Sequence, residues 1–126
     1  MKYADVVKHL LTLPGAELSI KWGDDHIYQV GGKMFAGLGP KPKKGEDHGI
    51  SFKADDMGFD ILTKKRGITP ARYLARAKWV SLDTLNRLPD KQLTAYLTRA
   101  HAIVASGLSK KLRASLGIAE QNLPSP

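Results

Sequence analysis

Cysteine is absent from all 126 residues, which excludes disulfides and thiolate metal sites. No apolar run approaches the length of a membrane span or of a signal-peptide core, so a bacterial-type cytoplasmic location with no membrane partner is expected. Aromatic residues make up only 7% of the chain, and each must be accounted for singly. Carboxylates are missing from one stretch in particular. Between residues 61 and 82 stand Lys64, Lys65, Arg66, Arg72, Arg76 and Lys78 with no acidic residue among them, and this segment carries +6 of the formal net charge of +8. A concentration of that kind suits an anionic partner. It would serve equally well as a solvated face that keeps a domain soluble.

What is present fits one domain spanning residues 1–126, since a chain with 42% hydrophobic residues can build a core without staples. Tyr3, Val6, Val7, Leu10 and Leu11 recur at helical spacing, so residues 2–13 form an amphipathic helix ended by Pro14-Gly15. Short alternating runs follow at 18–22, 26–30, 33–38 and 49–54, punctuated by Gly23-Asp24-Asp25 and Gly31-Gly32 as hairpin turns. Connections this short demand antiparallel pairing. Gly39 to Asp47 reads as a mobile hairpin tip. Asp55 and Asp56 cap a helix running to about Arg66, and Gly67 stops it. Thr69-Pro70 reads as a further helix start, with Tyr73 and Leu74 as its apolar contacts. Lys78 to Leu82 alternates as a strand. The longest helix opens at Pro89-Asp90 and buries Leu93, Tyr96, Leu97, Ala100, Ile103 and Val104, with Gly107 ending it. Ser109 to Leu116 make a short basic helix before a frayed tail from about 117 to 126.

This order implies an α+β fold, a two-layer α/β sandwich whose antiparallel sheet carries helices on one face. If Ile50, Phe52 and Ala54 face the helices with Met34, Ala36, Leu38, Val80 and Leu82, the other face receives Lys33, Phe35, Ser51, Lys53, Trp79 and Ser81. A face mixing rings with positive charge suits phosphate contacts with base stacking, or a protein interface with aromatic anchors. The alternative is a small second core in which a loop covers Trp79. Trp22 poses the same choice. Enzyme motifs are weak. Gly31-Gly32-Lys33 and Gly37-Leu38-Gly39 lack the following helix of a phosphate-binding loop. His9, His26, His48 and His101 show no ligand spacing, and turn and cap chemistry accounts for Asp24-Asp25 and Asp55-Asp56. No metal, cofactor or catalytic residue is expected.

Leu13-Pro14-Gly15, Gly32-Lys33-Met34-Phe35-Ala36, Ile50-Ser51-Phe52-Lys53-Ala54, Gly67-Ile68-Thr69-Pro70-Ala71-Arg72-Tyr73-Leu74 and Lys78-Trp79-Val80 occur together and in order. In this the chain resembles the MmcQ/YjbR family over nearly its whole length. The resemblance implies a CyaY/frataxin-like sandwich and a DNA-binding role, and it marks Lys33, Phe35, Lys53, Arg72, Tyr73 and Trp79. Where many members have Ser followed by an aromatic, this chain has Ala100-His101. A frataxin-like iron role is disfavoured, because the first helix offers only Asp5. The reading is a non-catalytic DNA-binding domain of low sequence specificity, expected to be a monomer. Its contacts would come from Lys33, Phe35, Lys53, Lys64, Lys65, Arg66, Arg72, Arg76, Lys78 and Trp79. A protein-interaction module using the Trp79 face is the alternative.

Overall fold

The computed structural model describes residues 1–21, 23–43, 49–72 and 74–120. The expectations made for Trp22, Tyr73, His48, the loop tip at 44–47 and the tail at 121–126 lie outside them.

Among the described residues, ten elements follow one another as α1 (Tyr3–Thr12), β1 (Ala16–Lys21), β2 (Asp25–Val30), β3 (Lys33–Leu38), β4 (Ile50–Lys53), α2 (Asp56–Leu62), β5 (Ile68–Pro70), β6 (Trp79–Leu82), α3 (Asp90–Ser106) and α4 (Lys110–Ser115). The strands form one sheet in the order β1-β2-β3-β4-β6-β5, and every neighbouring pair is antiparallel. Three helices cover one face: α3 lies over β2, β3 and β4, α1 over β1 and beside α3, and α2 over β5 and β6. The fold is an α+β two-layer arrangement with an open second face, as the element order implies.

Registration decides which residues enter the core. Ala36, Phe52 and Val80 lie side by side across β3, β4 and β6, as do Leu38, Ile50 and Leu82. Cross-strand partners share a face, and all six are buried. From α3, Leu93, Leu97 and Ala100 descend onto them, and Tyr96 stacks on Phe52 at 6.1 Å between centroids. Asp55 caps α2 by accepting from the Gly58 N–H at 2.7 Å, as its position before the apolar residues requires.

Four expectations are corrected. First, β2 and β3 shift register between Tyr28 and Gln29, which pair with Ala36 and Met34. Phe35 is therefore the extra residue of a β-bulge, and such a residue turns its side chain to the same side as its neighbour. It is fully buried on the helix side, with its ring edge-on to His101 at 5.3 Å. Met34 takes the open face in its place. Second, Thr69-Pro70 starts no helix. Pro70 ends β5, an edge strand where its missing N–H leaves no ladder bond unmade, and turns follow it. Third, α2 stops at Leu62, and Lys64 to Arg66 form a turn. Fourth, residues 117–120 are packed: Ile118 is buried and Glu120 pairs with Arg113 at 2.9 Å.

Gly49 has a steric assignment that the sequence does not advertise. A Cβ there would lie 1.7 Å from the Leu82 carbonyl oxygen, so only glycine lets β4 start flush against β6.

Candidate functional site

The carboxylate-free segment folds into two short connections that bracket the edge strand β5. The first is pinned at both ends, by Leu62 and by Ile68, each at most 2% exposed. Between them the Lys65 N–H bonds the Leu62 carbonyl at 2.9 Å and the Ile68 N–H the Lys65 carbonyl at 3.3 Å. Gly67 reverses the chain at φ +79°, a conformation that side chains resist. With both apolar anchors turned inward, Lys64, Lys65 and Arg66 are all exposed. Among the described residues, no carboxylate lies within ion-pair distance of these three or of Arg76. Arg87 packs against Gly67 but is held by Asp83 through two bonds of 2.5 and 2.9 Å, which hold the Asp83 carboxyl below its usual range.

The second connection runs from Ala71 to Lys78 and folds back on itself. The Ala71 N–H donates to the Trp79 carbonyl at 2.9 Å, the Trp79 N–H to the Leu74 carbonyl at 3.2 Å, and the Lys78 N–H to the Ala75 carbonyl at 3.0 Å. Lys78 closes the turn at φ 61°, the one positive φ of a non-glycine residue among those described. Arg72 and Arg76 are exposed. Lys78 is half-buried, with its Nζ 4.9 Å from the centre of the Phe59 ring in a cation–π contact.

The remaining predicted site residues separate from this group. Phe35 is inside the core. Trp79 does sit on the open-face side of β6 but is only 5% exposed, so the covered alternative holds and its ring offers no free stacking surface. Lys53 is half-buried, and its ammonium donates to the Ala77 carbonyl. Burial lowers its pKa, and the bond fastens the loop rather than reaching outward. Lys33 is exposed at the β2–β3 turn, opposite Val30 and three strands from β5. The structure therefore places Lys64, Lys65 and Arg66 on the connection before β5 and Arg72, Arg76 and Lys78 on the connection after it, with the Lys53 ammonium beside the second connection, while Phe35 and Trp79 are buried and Lys33 lies three strands away.

The open face has a site of its own that the alternation argument missed. Along its centre Gly37, Ser51 and Ser81 pair across β3, β4 and β6, and these small residues leave a trough of about 640 Å³. Ile27 and Met34 wall one side, Leu74 and Trp79 the other, and Arg72, Asp25 and Asp83 also line it. Ser51 donates its hydroxyl to Ser81 at 3.2 Å, so the floor is largely satisfied. The small residues at Gly37, Ser51 and Ser81 were a readable signal for a depression, whereas the arrival of Met34 depends on the bulge. Among the described residues, no three His, Asp or Glu side chains form a group that could hold a metal, and no helix is long and apolar enough to cross a membrane.

Comparison with known proteins agrees with this architecture. The crystal structure of Deinococcus radiodurans protein DR2400, which has a DUF419 domain, superposes with a TM-score of 0.80 at 20% identity, covering 94% of this chain and 90% of that one. At that identity the likeness concerns the fold. No curated protein matches the sequence. The model of the YjbR family matches residues 11–103, from the end of α1 through most of α3, and the chain belongs to the YjbR family.

Proposed function

We propose that this protein is a non-catalytic DNA-binding domain that grips the phosphate backbone through the cationic edge around β5. The observation that carries the reading is the clustering of Lys64, Lys65, Arg66, Arg72 and Arg76, all exposed, on two connections flanking one short strand. Phosphate contacts from such a cluster supply affinity without reading base edges, which fits low sequence specificity. The buried Phe35 and the covered Trp79 do not offer their rings to bases, so the phosphate contacts of the cationic connections carry the binding in this reading.

The test replaces Lys64, Lys65 and Arg66 by Glu and measures affinity for duplex DNA across salt concentrations. Each lost phosphate contact should flatten the log–log salt slope by about 0.9, to a similar extent for every DNA sequence. An unchanged slope would move the footprint to the loop lysines Lys41 and Lys43. Absence of any affinity at low salt would sink the reading.

The trough favours a second reading, that of a protein-interaction module. A concave, largely apolar face with Trp79 in its wall can receive a partner's side chain. Filling it through Ser81→Tyr would then abolish partner binding while leaving the salt slope on DNA untouched.

A further inference from the structure

The two edges of the sheet are built differently. Edge strand β5 has three residues, one of them Pro70, and both features discourage pairing with another chain. Edge strand β1 has six residues and no proline. Among the described residues, nothing pairs with its outer side. On the helix-bearing face it shows Leu18 at 40% and Ile20 at 58% exposure, and α1, which packs over it, shows Leu11 at 47%. A long, apolar edge of that kind is a template for another strand.

We propose that two copies of this chain pair antiparallel through the outer edges of β1, on a two-fold axis at Ser19, to form one continuous sheet. The sequence of the strand, Ala-Glu-Leu-Ser-Ile-Lys, is self-complementary in that register. Glu17 of one copy lies opposite Lys21 of the other and Lys21 opposite Glu17, so the pairing forms two opposite-charge pairs and no like-charge pair. Leu18 faces Ile20 on the helix side, joining the exposed apolar residues of both copies, and Ser19 faces its counterpart. Within each chain Lys21 is opposite Asp25 and Glu17 opposite Gln29. The new pairs therefore extend an acid, base, acid alternation across the seam. A shift by one residue would break this match and send Leu18 and Ile20 to the polar side. The pairing does not depend on the DNA reading, because the cationic connections lie at the opposite edge.

Sedimentation velocity on the full chain at low salt, from dilute to the highest soluble concentration, tests it. The expected result is a concentration-dependent monomer–dimer equilibrium. Glu17→Lys and Lys21→Glu should each weaken it about tenfold or more by turning both pairs repulsive. An equal mixture of these two variants should form a heterodimer, and the Glu17→Lys/Lys21→Glu double variant should dimerise like the parent. Both positions are exposed, so circular dichroism should show the parent fold throughout. A parent that stays monomeric at every concentration would overturn the proposal. So would a dimer indifferent to the swaps, or a mixture that fails to associate.

Discussion

Tyr28 is fully buried, and among the described residues its hydroxyl is the one buried side-chain polar atom without a hydrogen-bond partner. Burial, helped by the nearby Tyr3, pushes its pKa up to about 12. A buried, unsatisfied hydroxyl costs about 1–3 kcal/mol. Tyr28→Phe, which keeps the ring, should therefore raise the denaturant midpoint with an unchanged slope. A lower midpoint would mean that the hydroxyl is engaged. His101 is the opposite case, a buried polar group that is satisfied. Its Nε2–H donates to the Pro14 carbonyl at 2.6 Å. Burial lowers its pKa from 6.5, and the bond to Pro14 only partly opposes that. The unfolded chain thus takes up a proton near pH 6.5 that the folded chain refuses. Stability from this group is complete above that pH and is lost as pH falls through the folded pKa. His9, also lowered by burial, acts in the same direction. Thermal midpoints between pH 7.5 and 5 should fall for the parent and fall less for His101→Gln. Equal falls would assign the effect elsewhere.

At the scale of elements, α1 and α3 were legible from a 3.6-residue period, and β1 to β4 and β6 from short, mostly alternating runs set between turn residues. Two failures have a common cause. Met34-Phe35-Ala36 is a run of three apolar residues with no polar residue to mark a face, so a bulge could exchange Met34 and Phe35 without leaving a trace in the pattern. Thr69-Pro70 carries a signal that a helix start and the end of an edge strand share. The missing discriminator was an apolar stripe after it, where the sequence instead offers Arg72, Arg76 and Lys78. The basic cluster was legible as composition, while its division around β5 required the hairpin between β5 and β6. That hairpin also decides what Trp79 does. With its ring 5% exposed, Trp79→Ala should open a cavity and cost about 3–5 kcal/mol, and the protein that remains folded should bind DNA with unchanged affinity. A stable variant with weakened binding would return the ring to the binding surface.

At the scale of the whole molecule, charge and packing occupy different places. The core lies between the sheet and its helices, whereas +6 of the net +8 lies in residues 61–82, around the short edge strand. A ligand that docks on that edge should stabilise the whole fold without altering it, since anything that binds the folded chain alone shifts unfolding by mass action. Duplex DNA at a hundred times its dissociation constant contributes about 2.7 kcal/mol, on the order of 10 °C in melting temperature for a chain of this size. The effect should vanish at high salt, because the released counterions that drive phosphate binding are then no longer dilute. Differential scanning calorimetry with and without DNA, at low and high salt, reads both dependences on one sample. The Lys64, Lys65 and Arg66 to Glu variant should melt near the parent temperature in the absence of DNA, since all three side chains are exposed, and should lose most of the shift when DNA is added. A shift of equal size in the variant would place the anion site away from β5. A parent that melts at the same temperature with and without DNA at low salt would leave the cationic edge as a solvated surface.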